Sequence, residues 1–112
     1  MIEFETSTRD GGVAVLAARG RLDMVAAPQL RALVTETVGS GGSRVVVDLA
    51  ETSFIDSSGL GALIAGLKTA RQAGGDLRIA GAGEQVRMVL ELTQMHTVLR
   101  PYASVEAALD VE

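Results

Sequence analysis

Phe54-Ile55-Asp56-Ser57-Ser58-Gly59-Leu60-Gly61 sets one carboxylate and two hydroxyls on consecutive residues, immediately before an apolar pattern at helical spacing. Two kinds of chemistry suit such a run. A side-chain oxygen of Asp56 or Ser57 can accept from the free N–H groups of a helix's first turn, which is ordinary capping. A serine hydroxyl presented there can instead take a phosphoryl group, adding about −1.5 to −2 charges where N–H groups and the helix dipole tolerate an anion. A protein packed on that end would meet the new anion beside Asp56, and desolvating it without a matching cation would cost several kcal/mol. Since about 1.4 kcal/mol is a tenfold change in affinity, one phosphate suffices to switch binding off. From the residues alone, capping with no further role stays open beside the switch.

Helical geometry distinguishes the two serines. At about 100° per residue, Leu60, Leu63, Ile64 and Leu67 cluster on one face that must turn to the core; Ser57 falls roughly 60° from that stripe and Ser58 roughly 170°. Ser58 is therefore expected to face outward and Ser57 to be partly tucked in. Ala62, Ala65 and Thr69 share the outer face, with Gly61 and Gly66 beside them, and Lys68 is the one charge before the last turn. Small residues let another backbone approach closely. The face is expected either to dock a partner or to receive another part of the same chain.

The elements that would hold this segment are readable around it. Ile2 to Thr6 alternates, Val13 to Ala18 is an apolar run, and Arg9-Asp10-Gly11-Gly12 between them contains a favoured hairpin turn. Pro28 sits where a first helical turn takes it, and Leu30, Leu33, Val34 and Val38 recur at helical spacing until Gly39. Arg44-Val45-Val46-Val47-Asp48-Leu49 reads as a central strand covered on both faces. A second helix is expected from about Ser58 to Ala73, ending at Gly74-Gly75, then a strand at Leu77-Arg78-Ile79. A third helix from Glu84 to about Thr93, a strand-like piece near Val98-Leu99 and a helix from Ser104 to Leu109 complete the pattern. Together they predict one α/β domain over residues 1–112: a mixed, mostly parallel sheet of about five strands, antiparallel at the opening hairpin, with about four helices. The serine segment then lies beyond the carboxyl end of the central strand, where open sheets of this class gather ligands.

Composition removes several functions. The chain has 112 residues, 47% of them apolar, enough for one core. With 14 acidic and 10 basic residues, a net charge of −4 and no Lys/Arg run, no direct nucleic-acid partner is expected. No cysteine is present, which suits a reducing compartment, and neither a secretion signal nor an apolar run of membrane-spanning length is apparent. A cytoplasmic location with no membrane partner is expected. His96, the sole histidine, has no catalytic companion at recognisable spacing and reads as a surface or capping residue. Gly81-Ala82-Gly83-Glu84 lacks the third glycine of a dinucleotide fingerprint, Val86 standing there, and reads as a strand-to-helix turn. Asp48 ends a strand as a receiver's phosphoacceptor would, yet no acidic pair follows an opening strand to hold Mg²⁺. Met88, Val89, Leu92 and Met95 could make an adaptable binding face, but core packing is the expected reading. No enzyme activity, cofactor or metal site is expected.

Asp48-Leu49 followed by Phe54-Ile55-Asp56-Ser57-Ser58-Gly59-Leu60-Gly61-Ala62-Leu63 resembles the signature segment of the STAS-domain bacterial anti-sigma factor antagonists. The resemblance extends to the opening hairpin, to Gly20-Arg21-Leu22-Asp23 and to Leu77-Arg78-Ile79-Ala80-Gly81. It implies that the unphosphorylated protein binds an anti-sigma factor that is also a serine kinase, releasing a sigma factor. The kinase would phosphorylate Ser58 and so lose its hold, and a serine phosphatase would reset the protein. By the same resemblance Asp56 and Ser57 flank the phosphoacceptor and Asp23 lies near the same surface; with the small residues of the outer helical face, the expected partner-facing set is Asp23, Asp56, Ser57, Ser58, Gly59, Gly61, Ala62 and Ala65. Ala26 departs from the family, which often carries a hydroxyl there, and either a weaker start to the first helix or an altered contact at the partner surface is expected from it. The alternative that the resemblance allows is a STAS docking subunit of a transport or stress-signalling complex.

Overall fold

A computed structural model describes residues 2–9 and 11–109. β1 (Glu3–Arg9) and β2 (Val13–Leu22) form the opening antiparallel hairpin. Gly12 N–H closes the turn on the Arg9 carbonyl at 3.1 Å, and Gly11 and Gly12 both take positive φ; Asp10, part of the expected turn, lies outside the described residues. α1 (Ala27–Gly39) follows with Pro28 in its first turn, then β3 (Arg44–Asp48), β4 (Thr52–Ile55) and α2 (Ser57–Gln72). β5 (Asp76–Ala80), α3 (Glu84–Leu92), a 3-10 turn (Met95–Thr97), β6 (Pro101–Tyr102) and α4 (Val105–Leu109) complete the order.

The sheet runs β1-β2-β3-β5-β6, with β4 paired to the far end of β2. All pairings but the hairpin are parallel. Among the described residues the mixed, mostly parallel α/β sheet with four helices is therefore as expected, with six strands rather than about five. β4 is the addition. It is four residues long and continues beside β2 where β3 stops, after a register shift at Gly20/Arg21 that Gly20 accommodates with φ 115°. The expected strand near Val98-Leu99 is not one: Val98 N–H bonds the Met95 carbonyl at 3.0 Å, closing the 3-10 turn, Leu99 N–H reaches the same carbonyl at 2.7 Å, and pairing with β5 begins only at Pro101.

Period-two alternation divides β2 and β3 between two layers. Leu16, Ala18, Val45 and Val47 enter the main core with Leu30 and Val34 of α1, Leu60, Leu63 and Leu67 of α2, and Val86 and Leu90 of α3. Val13, Val15 and Val46 face the other way, under Val105 and Ala108 of the short α4. β3 is thus the middle strand and covered on both faces, as its unbroken valine run requires.

Candidate functional site

Two loops meet at the carboxyl ends of β2 and β4. In the first, Asp23 folds its carboxylate back on its own backbone: Oδ1 accepts from Val25 N–H at 3.1 Å and Ala26 N–H at 3.2 Å. These bonds, Ala26 first, and the Arg21 guanidinium 3.7 Å away hold the Asp23 carboxyl below the usual carboxylate range, against partial desolvation. Arg21 in turn lies over the Phe54 ring, 4.2 Å from its centroid. The turn so made pushes Met24 and Val25 into solvent, 70% and 75% exposed.

The loss of a hydroxyl at position 26 therefore does not leave α1 unsupported. Ala26 makes no side-chain cap, but Asp23 holds the N–H groups of Val25 and Ala26 just before α1, and the buried Ala26 methyl joins the core. Ala27 N–H also reaches the Asp23 carbonyl at 2.8 Å.

The second loop begins at Asp56, which caps α2 from extended backbone with Oδ1 accepting from Gly59 N–H at 2.9 Å. Its Oδ2 accepts from Met24 N–H at 3.1 Å, so one carboxylate ties the two loops together. Gly59 is required by contact: a Cβ there would overlap the Leu22 carbonyl oxygen. Upstream, the Gln85 carboxamide of α3 holds both backbone groups of Ile55.

The two serines are placed the other way round from the helical-wheel expectation: Ser57 is exposed and Ser58 half-buried. The cause is α1. It packs on α2 over the small residues, so the buried set is Gly59, Leu60, Ala62, Leu63, Gly66, Leu67 and Ala70, while Ile64 is only half-buried. That arc is centred near Ala70, about 120° from Ser58 and about 140° from Ser57. The outer-face reading of the small residues is corrected with it. Ala62 is fully buried, and a Cβ on Gly66 would press on Val34 and Leu77. Gly61 borders Arg31 of α1, and Ala65 and Thr69 are half-buried, with the Thr69 hydroxyl donating to the Ala65 carbonyl.

The model of the family described as STAS domain matches residues 5–108 of the chain. The chain belongs to the STAS domain family. Among relatives of this STAS domain, the anti-sigma-B factor antagonist of Staphylococcus epidermidis is 30% identical over 98 residues, 88% of this chain and 90% of that one. An anti-sigma factor antagonist from Mycobacterium paratuberculosis superposes with a TM-score of 0.86 at 28% identity, covering 97% of this chain and 92% of that one. The fold alone is shared with the murine anion transporter Slc26a9, at 17% identity and a TM-score of 0.78, over 97% of this chain and 22% of the transporter.

Within this STAS domain, Asp23, Asp56, Ser57 and Ser58 are brought together at one end of the sheet, whereas Gly59 and Ala62 are buried and act by letting backbone and helix approach. Sequence reasoning missed Met24 and Val25, two apolar residues between Asp23 and Pro28 that belong to no periodic pattern, which was the available signal. It also placed Met88 and Leu92 in the core; they are 51% and 76% exposed, and only Val89 and Met95 pack inward. His96 is half-buried with Nδ1 3.4 Å from the Leu90 carbonyl, and the Gly81 turn, at φ 72°, leads from β5 into α3. Among the described residues no helix is long and apolar enough to cross a membrane.

Proposed function

We propose that this STAS domain is an anti-sigma factor antagonist whose unphosphorylated form binds an anti-sigma factor serine kinase through the two loops around Asp56. The observation that carries this reading is the tie from Met24 N–H to the Asp56 carboxylate, which sets 70%- and 75%-exposed apolar side chains beside the serine end of α2. Apolar residues ringed by Asp23, Asp56 and two serines make a small binding centre with a polar rim. The resemblance of the whole chain to named antagonists supports the partner class.

In this reading the kinase moves the γ-phosphoryl group of ATP to the Ser58 oxygen: the new bond is P–O, ADP leaves, and the hydroxyl proton passes to solvent or a kinase base. The phosphate adds about −1.5 to −2 charges within the Asp23 and Asp56 neighbourhood. The domain tolerates it because it sits in the first turn of α2, at the positive end of the helix dipole. The kinase surface that matched serine and methionine does not tolerate it, and the complex dissociates. A serine phosphatase restores the binding form. The protein acts by binding, in the cytoplasm, and not by catalysis.

Pull-downs from source lysate with Ser58→Ala and Ser58→Asp baits test this. The reading expects the alanine bait to retain a kinase-like anti-sigma factor and the aspartate bait to lose it. Identical captures, or transporter subunits on both baits, would overturn it. Because Ser57 is the more exposed hydroxyl, phosphosite mapping on Ser57→Ala and Ser58→Ala chains with the captured kinase and ATP decides which oxygen is the acceptor.

A further inference from the structure

Among the described residues β4 has one strand neighbour. β2 lies on one side, with Leu22 opposite Ile55, and Asp56 N–H reaches the Leu22 carbonyl at 3.4 Å. In a parallel pair, backbone groups alternate sides, so the N–H and C=O of Ile55 point away from β2. β5 does not meet them: it ends at Ala80, and Gly81 turns the chain away with φ 72°. Both groups are nonetheless paired. Gln85 Oε1 accepts from Ile55 N–H at 2.9 Å, and Gln85 Nε2 donates to the Ile55 carbonyl at 3.0 Å. A primary carboxamide is the one neutral side-chain group with a donor and an acceptor at peptide spacing, and the opposite amide orientation would set donor against donor.

We propose that Gln85 is a positioning residue for the serine end of α2, acting through Ile55 as a one-residue substitute for a missing strand. The path is short. Ile55 is 1% exposed, and its side chain would be 3.0 Å from a Cβ on Gly59, so the ends of β4 and α2 are packed as one piece. The next residue is Asp56, whose carboxylate caps Gly59 and holds Met24, and whose carbonyl accepts the first helical bond from Leu60 N–H at 2.9 Å. With the Ile55 backbone clamped, Asp56 has one place to start from, and the hydroxyls of Ser57 and Ser58 are delivered in one orientation. Without it, the outward-facing N–H and C=O of Ile55 on this four-residue edge lose their hydrogen-bond partner.

The test compares amide hydrogen exchange in the full chain for wild type, Gln85→Met and Leu90→Ala. Methionine keeps the length and volume of glutamine but loses both bonds. Leu90→Ala loosens α3 in the core without touching the clamp. Each net hydrogen bond corresponds to roughly a three- to tenfold change in protection. In Gln85→Met, exchange at Ile55, Gly59 and Leu60 is expected to rise about tenfold relative to the amides of β3, whereas Leu90→Ala shifts all of them by one common factor. Acceleration at Ile55 alone, with Gly59 and Leu60 unchanged, would reduce Gln85 to an edge cover and overturn the proposal; so would a uniform shift in Gln85→Met. If Gln85→Met fails to fold, Gln85→Glu supplies the same comparison, since its carboxylate accepts from Ile55 N–H but cannot donate to the carbonyl.

The consequence for phosphorylation rests on the antagonist reading: a kinase that binds through Met24 and Val25 is expected to phosphorylate Gln85→Met with a lower turnover and a nearly unchanged KM. Unequal losses in the opposite sense, in KM alone, would count against positioning. The exchange pattern needs no partner, so the clamp and the phosphoswitch fail separately.

Discussion

The two loops at the site are held in opposite ways. The loop before α2 is fixed from several sides: Asp56 caps the helix, Gly59 rests on the Leu22 carbonyl, and Gln85 grips Ile55. What it presents is small and polar, Ser57 exposed and Ser58 half-buried. The loop before α1 is held by its own Asp23 and by one bond from Met24 N–H to Asp56, and it presents large apolar side chains. On the proposed reading, precision of placement suits a serine that is to be phosphorylated, because a transferred phosphoryl needs a defined oxygen. Exposed methionine and valine suit contact area, since methionine fits varied shapes. On the antagonist reading proposed above, affinity resides in the first loop and switching in the second.

The largest effect that would break this contrast is expected from Gly59→Ala. Its methyl would overlap backbone, the Leu22 carbonyl, and press on the buried Ile55 side chain, so α2 must shift from β2 at a cost of about 3 kcal/mol. Urea unfolding reads this as a lowered midpoint at constant slope, and a wild-type midpoint would show that the loop is not tightly fitted. Next comes the double substitution Met24→Ser with Val25→Ser. Both side chains are already in solvent, so stability should move by no more than about 0.5 kcal/mol. Binding to the captured kinase should weaken by about 2 kcal/mol, roughly thirtyfold in Kd by calorimetry. Unchanged affinity would place the contact area elsewhere.

How far the sequence discloses this arrangement differs between its parts. α1, α2 and β3 are long and patterned, and proline, paired glycines and the valine run mark their ends, so order, layering and the parallel sheet are all legible. β4 is not, because Thr52-Ser53-Phe54-Ile55 is too short for a period and reads as part of a loop. The orientation of Ser57 and Ser58 fails for a related reason. A hydrophobic wheel weights Leu and Ile, whereas the buried line of α2 also runs through Ala62, Gly66 and Ala70, Gly66 lying against Val34 of α1, and small residues carry no such weight. Asp56 as a cap and as part of the site is legible from type and position; its bond to Met24 joins residues 32 apart in sequence and is not. Gln85 has no local signal at all, since an amide in a first helical turn is ordinary until β4 is known to lie beside it.

Asp56→Ala should have a smaller effect than either change above. It removes one helix cap, about 1 kcal/mol by the usual range, and releases Met24 N–H to solvent, which satisfies it. The telling comparison is with Asp23→Ala in the same unfolding experiment. If the loops are held as described, Asp56→Ala lowers the midpoint more, and only Asp56→Ala also speeds exchange at Gly59 N–H.

The smallest effect concerns the charge of Asp23, and its sign follows from the bonds. Ala26 N–H, Val25 N–H and the Arg21 guanidinium favour the ionised carboxylate in the folded protein, so its folded-state pKa lies below the ordinary value of about 3.9. The group therefore contributes stability that is fully present above that value, declines as pH falls below it towards the folded pKa, and is absent beneath both. The urea midpoints of wild type and Asp23→Ala should differ by a constant amount from pH 7 to about pH 5 and draw closer below about pH 4. Solvent limits the size, because the side chain is 28% exposed and its ion-pair partner Arg21 is 58% exposed. A difference that persists undiminished at the lowest pH would mean that the loop is held by hydrogen bonds the neutral acid can still accept. Asp23 would then shape the Met24-Val25 turn without depending on its charge, and the contrast between the two loops would rest on Asp56, Gly59 and Gln85 alone.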